Sequence, residues 1–154
     1  MDGFHIFPTF SELSKQDQEL VVNAQKATEN SYSPYSNYRV GAAVRLASGQ
    51  ILLGSNQENA SYPAGLCAER VALFHISSTY PDAIVESIAT VAKRKGDTKF
   101  KPVTPCGICR QVMLELEIRQ KSNIRVLMQS SDERWIISEN IRKLLPFSFE
   151  QDNL

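Results

Sequence analysis

Apolar residues recur with two different periods along the chain, and the switch between these periods separates predicted helices from predicted strands. Over residues 14–30 they recur every three or four positions, which indicates an amphipathic helix, and Ser14 with Asp17 resembles a capping pair at its start. Over residues 40–46 every second residue is apolar, which predicts a strand with one buried face. A Ser48-Gly49 turn signal and apolar residues 51–53 follow, so we expect the two strands to form a hairpin.

The rest of the chain is predicted to alternate between helices and strands. The expected elements are, in order, a helix at residues 67–79, a strand at 84–92, a helix at 107–119 and a strand at 124–128. The link at residues 130–133 is too short for a crossover, so residues 135–137 should return as an antiparallel strand. A last short helix is predicted over residues 138–145, ended by Pro146.

This order of elements predicts an α/β fold. Helices should cover both faces of one mixed five-stranded sheet, which makes a three-layer α/β/α sandwich. A single domain is expected over residues 14–149, after an extension at residues 1–13 that has no assigned role and before a polar tail at residues 150–154. In such sheets a binding site forms where strand ends lead into helix starts.

Composition and charge argue against several classes of function. The 154-residue chain is 42 % hydrophobic and carries 17 basic and 17 acidic residues, so its formal net charge is zero. That balance gives no electrostatic reason to bind a nucleic acid polymer or an anionic membrane, and no apolar stretch approaches the ~20 residues of a membrane span. Three cysteines cannot all pair within one chain and the N-terminus does not resemble a signal peptide, so we expect a protein of the reducing cytoplasm.

All three cysteines lie where helices are predicted to begin. Cys67 opens the motif Cys-Ala-Glu, whereas Cys106 and Cys109 belong to the motif Pro-Cys-Gly-Ile-Cys. First-turn side chains point back toward the helix start, so two such helices facing each other could offer three sulfurs to one ion. A zinc ion with three protein ligands keeps its fourth position for water, which is the catalytic arrangement. The two histidines, His5 and His75, are poorly placed to add a fourth ligand.

Charged residues beside these cysteines suit the same interpretation. Glu69 could take a proton from a metal-activated water and pass it to a substrate nitrogen. Three thiolates on one divalent ion leave a net charge of −1, which two helix N-termini and a neighbouring cation would offset. We expect Arg70 to be the main compensating charge, with Arg110 as a second residue able to hydrogen-bond the sulfurs. The alternative for Arg70 is an ordinary solvated position on the helix.

Other chemistry could use the same cysteines. A pair with the spacing of Cys106 and Cys109 at a helix start is also typical of the redox pair in a thioredoxin-like domain. In that case Cys67 would be a small buried residue and Glu69 an ordinary surface charge. A structural metal site with an unrecognised fourth ligand is a further alternative. The Cys-x-Glu at a separate helix start favours the catalytic metal site, because the redox interpretation leaves both residues unexplained.

The combined motifs resemble those of the zinc nucleobase deaminases in their three-cysteine form, and in particular the homotetrameric cytidine deaminases. The resemblance covers roughly residues 14–149. Besides the cysteine motifs it is carried by the segments Ser33-Pro34-Tyr35-Ser36, Val40-Gly41-Ala42-Ala43, Asn56-Gln57-Glu58-Asn59-Ala60, Tyr62-Pro63-Ala64-Gly65-Leu66, Arg110-Gln111-Val112 and Leu144-Leu145-Pro146.

This resemblance implies hydrolytic deamination of cytidine and 2′-deoxycytidine to uridine and 2′-deoxyuridine in pyrimidine salvage, with release of ammonia. It implies one zinc ion per subunit, bound by Cys67, Cys106 and Cys109. It also implies that Glu69 takes the proton of the activated water, protonates N3 of the pyrimidine and then protonates the leaving amine.

The resemblance assigns substrate contacts as well. Asn56 and Glu58 match the family's ribose-binding pair, although without the resemblance they would be taken for a polar loop after a strand. Backbone groups around Ala68 are expected at the base edge, and Tyr38 stands where many members carry a phenylalanine that stacks on the base. Phe149 matches a C-terminal aromatic residue that reaches a neighbouring subunit's site, with local packing as the alternative.

Two other classes of deamination substrate are less consistent with the sequence than free nucleosides. Another aminopyrimidine, such as the antibiotic blasticidin, is disfavoured because Asn56 and Glu58 argue for a ribose. Editing of cytosine within a polynucleotide is disfavoured by the zero net charge and by the lack of a basic, aromatic-rich surface in the sequence.

Overall fold

The computed structural model describes residues 3–154 as a mixed sheet with helices on both faces. The strands are β1 (Phe4–Phe7), β2 (Tyr38–Leu46), β3 (Ile51–Ser55), β4 (Val85–Arg94), β5 (Arg125–Gln129) and β6 (Trp135–Ser138). The α-helices are α1 (Lys15–Ala27), α2 (Ala68–Thr79) and α3 (Gly107–Gln120). Within this described part of the chain, no helix has both the length and the apolar character needed to cross a membrane.

The sheet has the strand order β1-β6-β5-β4-β2-β3. Strands β4 and β5 are parallel and are joined across the sheet through α3, whereas every other neighbouring pair is antiparallel. The predicted hairpin of β2 with β3 is therefore confirmed, and so is the antiparallel return from β5 to β6.

Two apolar cores lie on opposite faces of the sheet, which confirms the three-layer arrangement. On one face Leu20 and Val21 of α1 pack against alternate residues of the strands, including Ala89 of β4. On the other face α2 and α3 cover the residues between these, such as the neighbouring Ile88. Helix α1 begins as predicted, because the Ser14 hydroxyl oxygen accepts the backbone N–H of Asp17 at 3.1 Å.

The prediction of five strands is wrong, because the N-terminal extension adds a sixth. Residues Phe4–Phe7 pair antiparallel with β6, with Phe4 opposite Ser138 and Phe7 opposite Trp135. Four residues are too few for a period-two pattern to stand out in the sequence. The free backbone edge of β6 makes this strand possible, and Phe4 and Phe7 add contacts with the two cores.

The predicted last helix at residues 138–145 is also wrong. Ser138 is the last residue of β6, and turns follow it up to residue 144. The backbone N–H of Ile141 donates to Oε2 of Glu117 at 2.9 Å, and that of Lys143 donates to Oδ1 of Asn140 at 3.1 Å. These side-chain acceptors cap a short turn, in which the N–H groups of Leu144 and Leu145 donate to the Ile141 carbonyl oxygen, and no α-helix forms over residues 138–145.

Glu117 provides a test of how α3 holds the two segments beside it. Its buried Oε2 atom accepts the backbone N–H groups of Ile124 at 2.8 Å and Ile141 at 2.9 Å. Glu117→Leu leaves both donors without an acceptor, so we expect the free energy of unfolding to fall by ~2–4 kcal/mol in chemical denaturation. Glu117→Gln keeps a side-chain oxygen and should lose less than half as much.

The matched control for this prediction is the exposed Glu115 on the same helix. We expect Glu115→Leu to change the free energy of unfolding by less than ~0.5 kcal/mol. Equal losses in the Glu115 and Glu117 variants would contradict the role given to the Glu117 carboxylate.

Candidate active site

The three cysteine sulfurs converge between the starts of α2 and α3. Cys67 immediately precedes α2, Cys106 immediately precedes α3, and Cys109 lies in the first turn of α3. The Sγ atoms of Cys106 and Cys109 are 3.4 Å apart, those of Cys67 and Cys106 are 3.9 Å apart, and all three lie within 4.8 Å of one another. Sulfurs bound to one tetrahedral zinc ion are about 3.8 Å apart, so this triangle could bind one zinc ion.

Small residues allow α2 to place Cys67 at this point. Ala68 and Ala72 are fully buried against β3. A Cβ atom added to Gly54 of β3 would lie 2.3 Å from the Ala68 carbonyl oxygen and 2.7 Å from the Ala72 nitrogen. Only glycine therefore fits at position 54 while the first turn of α2 lies this close to the sheet.

Arg110 supports the segment that carries Cys106 and Cys109 without contacting their sulfurs. Its Nε donates to the carbonyl oxygen of Pro105 at 2.9 Å, and its Nη1 donates to that of Leu144 at 3.0 Å. The guanidinium thus ties the residue before Cys106 to α3 and to the C-terminal segment. Its hydrogen bonds go to carbonyl oxygens, so the suggestion that Arg110 hydrogen-bonds the sulfurs does not describe this structure.

The histidines lie away from the sulfurs, as predicted. His75 is exposed near Thr79, and His5 lies 2.7 Å from a carboxylate oxygen of Glu139. Among residues 3–154, the cysteines form the only group of three or more potential metal-ligating side chains within this spacing. The sulfur of Cys67 belongs to that group, whereas the redox interpretation treats Cys67 as a core residue unrelated to the pair.

Glu69 is a buried carboxyl group next to the cluster. It lies in the first turn of α2 and is only 3 % exposed. Burial is the main cause that raises its pKa to about 7, and the nearby Cys67 adds to this effect. A carboxyl group near this pKa can both accept and return a proton at neutral pH.

Arg70 lies beside one of the sulfurs. Its Nη2 is 3.9 Å from Sγ of Cys67 and 3.5 Å from the carbonyl oxygen of Gly65. Hydrogen bonding from Cys109, with further hydrogen bonds from Arg70 and Cys106, lowers the pKa of the Cys67 thiol to about 5 despite its partial burial. Hydrogen bonding with Cys67 and full burial both raise the pKa of the Cys109 thiol. The cluster therefore favours a thiolate on Cys67 next to a positive charge.

A cavity of about 520 Å³ joins the cluster to polar residues of the loops before α2. Cys67, Cys106 and Glu69 line it together with Asn56 and Glu58. Arg70 also lines it. This volume is typical of a site for a small organic molecule. The structure thus brings Cys67, Cys106, the buried carboxyl group and the two residues matched to ribose binding to one cavity.

Asn56 has most of its hydrogen-bonding capacity used by the protein. Its Oδ1 accepts the backbone N–H of Val40 at 2.9 Å and the hydroxyl of Ser31 at 2.5 Å. Its Nδ2 donates to the carbonyl oxygen of Tyr38 at 2.9 Å. These partners define the orientation of the amide and leave one N–H as its free group at the cavity.

Glu58 is held by the loop that precedes β2. Its Oε2 accepts the backbone N–H groups of Tyr35 at 2.9 Å and Ser36 at 3.3 Å, and its Oε1 accepts the Ser36 hydroxyl. Desolvation raises the pKa of this carboxyl group, but the three donors together outweigh it and keep the pKa below the usual value. One accepting position of the carboxylate remains. Asn56 and Glu58 together therefore offer one donor and one acceptor, which matches a single hydroxyl group.

Besides the buried Cys109, three residues assigned by resemblance do not line the cavity of this one chain. Ala68, the first residue of α2, is fully buried, and Tyr38 is half-buried at the start of β2. Phe149 is 58 % exposed, and its carbonyl oxygen accepts a hydrogen bond from Nε2 of Gln111 at 2.8 Å. The single chain therefore does not bring the side chains of Tyr38 and Phe149 into the cavity, whereas the expectation for Ala68 concerns its backbone groups.

A tyrosine pair at the cavity was not assigned a role from the sequence. The rings of Tyr35 and Tyr62 have centroids 5.9 Å apart at an angle of 60°, and both residues line the cavity. Each belongs to a segment that carries the family resemblance. Nothing in the local sequence, however, shows that these two loops meet.

Known proteins resemble this chain in sequence and in fold. A family model described as the cytidine and deoxycytidylate deaminase zinc-binding region matches residues 14–123. A cytidine deaminase of Sporosarcina psychrophila is 36 % identical over 138 residues, which cover 89 % of this chain and 93 % of the relative. One from Halalkalibacterium halodurans is 50 % identical over 99 residues, 64 % of this chain and 70 % of the relative.

Solved structures agree with the sequence comparison. The crystal structure of cytidine deaminase from Burkholderia pseudomallei superposes with a TM-score of 0.72 at 35 % identity, covering 89 % of this chain and all of the other. The cytidine deaminase of Mycobacterium tuberculosis gives a TM-score of 0.66 at 29 % identity, covering 90 % of this chain and 99 % of the other. With the family match spanning both cysteine motifs, the chain belongs to the cytidine and deoxycytidylate deaminase family with its zinc-binding region.

Proposed function

We propose that the protein deaminates cytidine and 2′-deoxycytidine hydrolytically to uridine and 2′-deoxyuridine, with release of ammonia, in pyrimidine salvage. The observation that carries this proposal is one cavity lined by Cys67, Cys106 and the buried Glu69 together with Asn56 and Glu58. Family membership supports it, because the relatives that cover most of this chain are themselves named cytidine deaminases.

Cys67, Cys106 and Cys109 are proposed to bind one zinc ion per subunit. The spacing of their sulfurs suits a tetrahedral ion, and three soft thiolate ligands suit zinc. Zinc bound there would supply a Lewis acid, which allows water to act as a nucleophile at neutral pH. Cys67 and Cys106 line the cavity, so this chemistry is accessible to a substrate.

Glu69 is proposed to move the protons of the reaction. It accepts a proton from the attacking water, whose oxygen bonds to C4 of the pyrimidine, and donates a proton to N3. It then takes the remaining proton from the hydroxyl group formed at C4 and gives it to the amine as the C4–N4 bond breaks, so that water and cytidine become uridine and ammonia. Burial favours this dual role because it keeps the carboxyl group close to its protonated form.

The remaining residues are proposed to position the nucleoside and balance charge. Arg70 offsets the excess negative charge of three thiolates from its place beside Cys67. The free N–H of Asn56 and the free accepting position of Glu58 bind the 3′-hydroxyl of the ribose. Backbone groups near Ala68 contact the base edge, and Tyr38 stacks on the base.

We also propose that the protein is a homotetramer of the cytoplasm. Phe147 and Phe149 are 99 % and 58 % exposed on the single chain, which suits aromatic residues that pack on a neighbouring subunit. Phe149 would thereby complete the cavity of that neighbour. The free thiols of the three cysteines suit a reducing compartment.

The test of this function compares the wild-type protein with Glu69→Gln. We expect the wild-type protein to contain one zinc per chain by elemental analysis and to consume cytidine, followed by its ultraviolet absorbance. Glu69→Gln should keep its zinc and its fold but lose at least ~100-fold in kcat, because it removes the proton-transfer group. Exposed Glu115→Gln is the matched control and should match the wild type.

Two outcomes would contradict these assignments. Comparable turnover in Glu69→Gln would remove Glu69 from the mechanism. A wild-type protein without zinc that forms a reversible disulfide between Cys106 and Cys109 would favour the redox interpretation.

Arg70→Ala tests the charge compensation. We expect a folded, zinc-loaded protein whose kcat falls roughly 10- to 100-fold, the range for losing a charge-assisted hydrogen bond. Arg70→Lys should recover part of the rate, and Arg119→Ala, an exposed site on α3, serves as the control. An Arg70→Ala variant with an unchanged rate and pH profile would show that this charge is not needed.

Ending the chain at Pro146 tests the contribution of the C-terminal aromatic residues. We expect the shortened protein to keep its thermal unfolding midpoint within a few degrees, because residues 147–154 contribute nothing to either apolar core. Its activity should fall, and light scattering should report a tetramer for the full chain. Full activity in the shortened protein would exclude a role for Phe149 in the site.

A further inference from the structure

We propose that Ser36 is a positioning residue that orients the Glu58 carboxylate toward the 3′-hydroxyl of the nucleoside. This inference rests on the proposed function, because it concerns the ribose end of the same cavity. Ser36 itself lines that cavity, in the loop between α1 and β2.

The hydroxyl group of Ser36 can make only one kind of contact with Glu58. Its oxygen accepts the backbone N–H of Tyr38 at 3.0 Å, so one lone pair of this oxygen points toward the start of β2. The hydroxyl has a single hydrogen, and that hydrogen is donated to Oε1 of Glu58. Ser36 therefore links a fixed strand to one particular oxygen of the carboxylate.

Glu58 depends on these hydrogen bonds because packing does not hold it. Asn56 is 9 % exposed and is surrounded by protein groups, whereas the Glu58 side chain lies at the partly exposed edge of the cavity. The backbone N–H groups of Tyr35 and Ser36 both bind Oε2 and leave Oε1 free to turn about them. The Ser36 hydroxyl is the only one of the three donors that restrains Oε1.

The loop that carries Ser36 is anchored well enough to act as a fixed support. Asn37 adopts a left-handed backbone conformation with φ of 54°, which reverses the chain directly after Ser36. The backbone N–H of Asn37 donates to the Ser33 carbonyl oxygen at 3.1 Å, and its own carbonyl accepts from Lys95 at 2.8 Å. Ser36 is thus held between two backbone anchors.

A fixed position of Oε1 matters because the 3′-hydroxyl of the nucleoside must form hydrogen bonds with Asn56 and Glu58 at the same time. It has to accept from the free N–H of Asn56 and donate to the free position of Glu58. Without the Ser36 hydroxyl, Oε1 samples several orientations. Ordering it in one of them then costs part of the binding free energy of the substrate. The loss should appear only with substrates that carry a 3′-hydroxyl.

The experiment compares Ser36→Ala with the wild type on cytidine, 2′-deoxycytidine and 3′-deoxycytidine. We expect the KM of Ser36→Ala to rise about 10-fold for the first two substrates with kcat changed less than ~2-fold, as expected when a hydrogen bond to a charged group is lost. For 3′-deoxycytidine, the KM and kcat values of the two proteins should agree within ~2-fold. Ser36→Thr, which keeps the hydroxyl, should return KM most of the way to the wild-type value.

Binding measurements without turnover distinguish a failure of the proposed function from a failure of the role of Ser36. By calorimetry, Ser36→Ala should bind uridine about 10-fold more weakly than the wild type does. Its affinity for 3′-deoxyuridine should stay within ~2-fold of the wild-type value. If the wild type does not deaminate cytidine but this difference in binding persists, the proposed function fails and the role of Ser36 stands. Ser48→Ala, in the exposed turn between β2 and β3, is the control and should behave as the wild type.

Four results would overturn the role of Ser36. These are equal losses with and without the 3′-hydroxyl, no loss with cytidine, failure of the threonine variant to recover, and a wild type that handles 3′-deoxycytidine as well as cytidine. The thermal unfolding midpoint of each variant shows whether a loss reflects unfolding instead.

Discussion

The rest of the site depends on bringing two helix starts to one point. Cys67 precedes α2 while Cys106 and Cys109 open α3, and the three sulfurs lie within 4.8 Å. Three thiolates at this distance would repel one another, so the proposed metal-bound arrangement needs positive charge close by. We propose that the partial charges of the two helix N-termini and the guanidinium of Arg70, which lies beside Cys67, supply it. Gly54 allows this geometry, because it lets the start of α2 lie directly on the sheet.

Two carboxyl groups in the same cavity acquire opposite properties from their surroundings. Glu69 is removed from water beside the sulfurs, and burial raises its pKa to about 7. Glu58 meets three hydrogen-bond donors at the other end, and its pKa lies below the usual value. One group is therefore suited to proton transfer and the other to accepting a hydrogen bond as a permanent anion. This division needs no difference in residue type, only a difference in environment.

The elements that the sequence predicted well are those whose pattern repeats over several turns or residues. Helices α1, α2 and α3 each bury one face against a core, and strands β2 and β4 are buried on both faces, so their apolar residues form long and clear patterns. The errors fall on short segments. Strand β1 has four residues and exists through its pairing with β6, and residues 139–144 form turns whose N–H groups at Ile141 and Lys143 bond to the side chains of Glu117 and Asn140.

The sequence by itself determined the chemistry available to this protein: three cysteines and a glutamate at helix starts, and the motifs of one enzyme family. Residue type and spacing within an element are local properties, which is why they could be predicted. Only the tertiary structure decided which groups meet. It turned Arg70 toward the sulfurs and Arg110 toward carbonyl oxygens, and it placed Ser36 on Glu58, because contacts between distant segments depend on how helices and loops pack across the sheet.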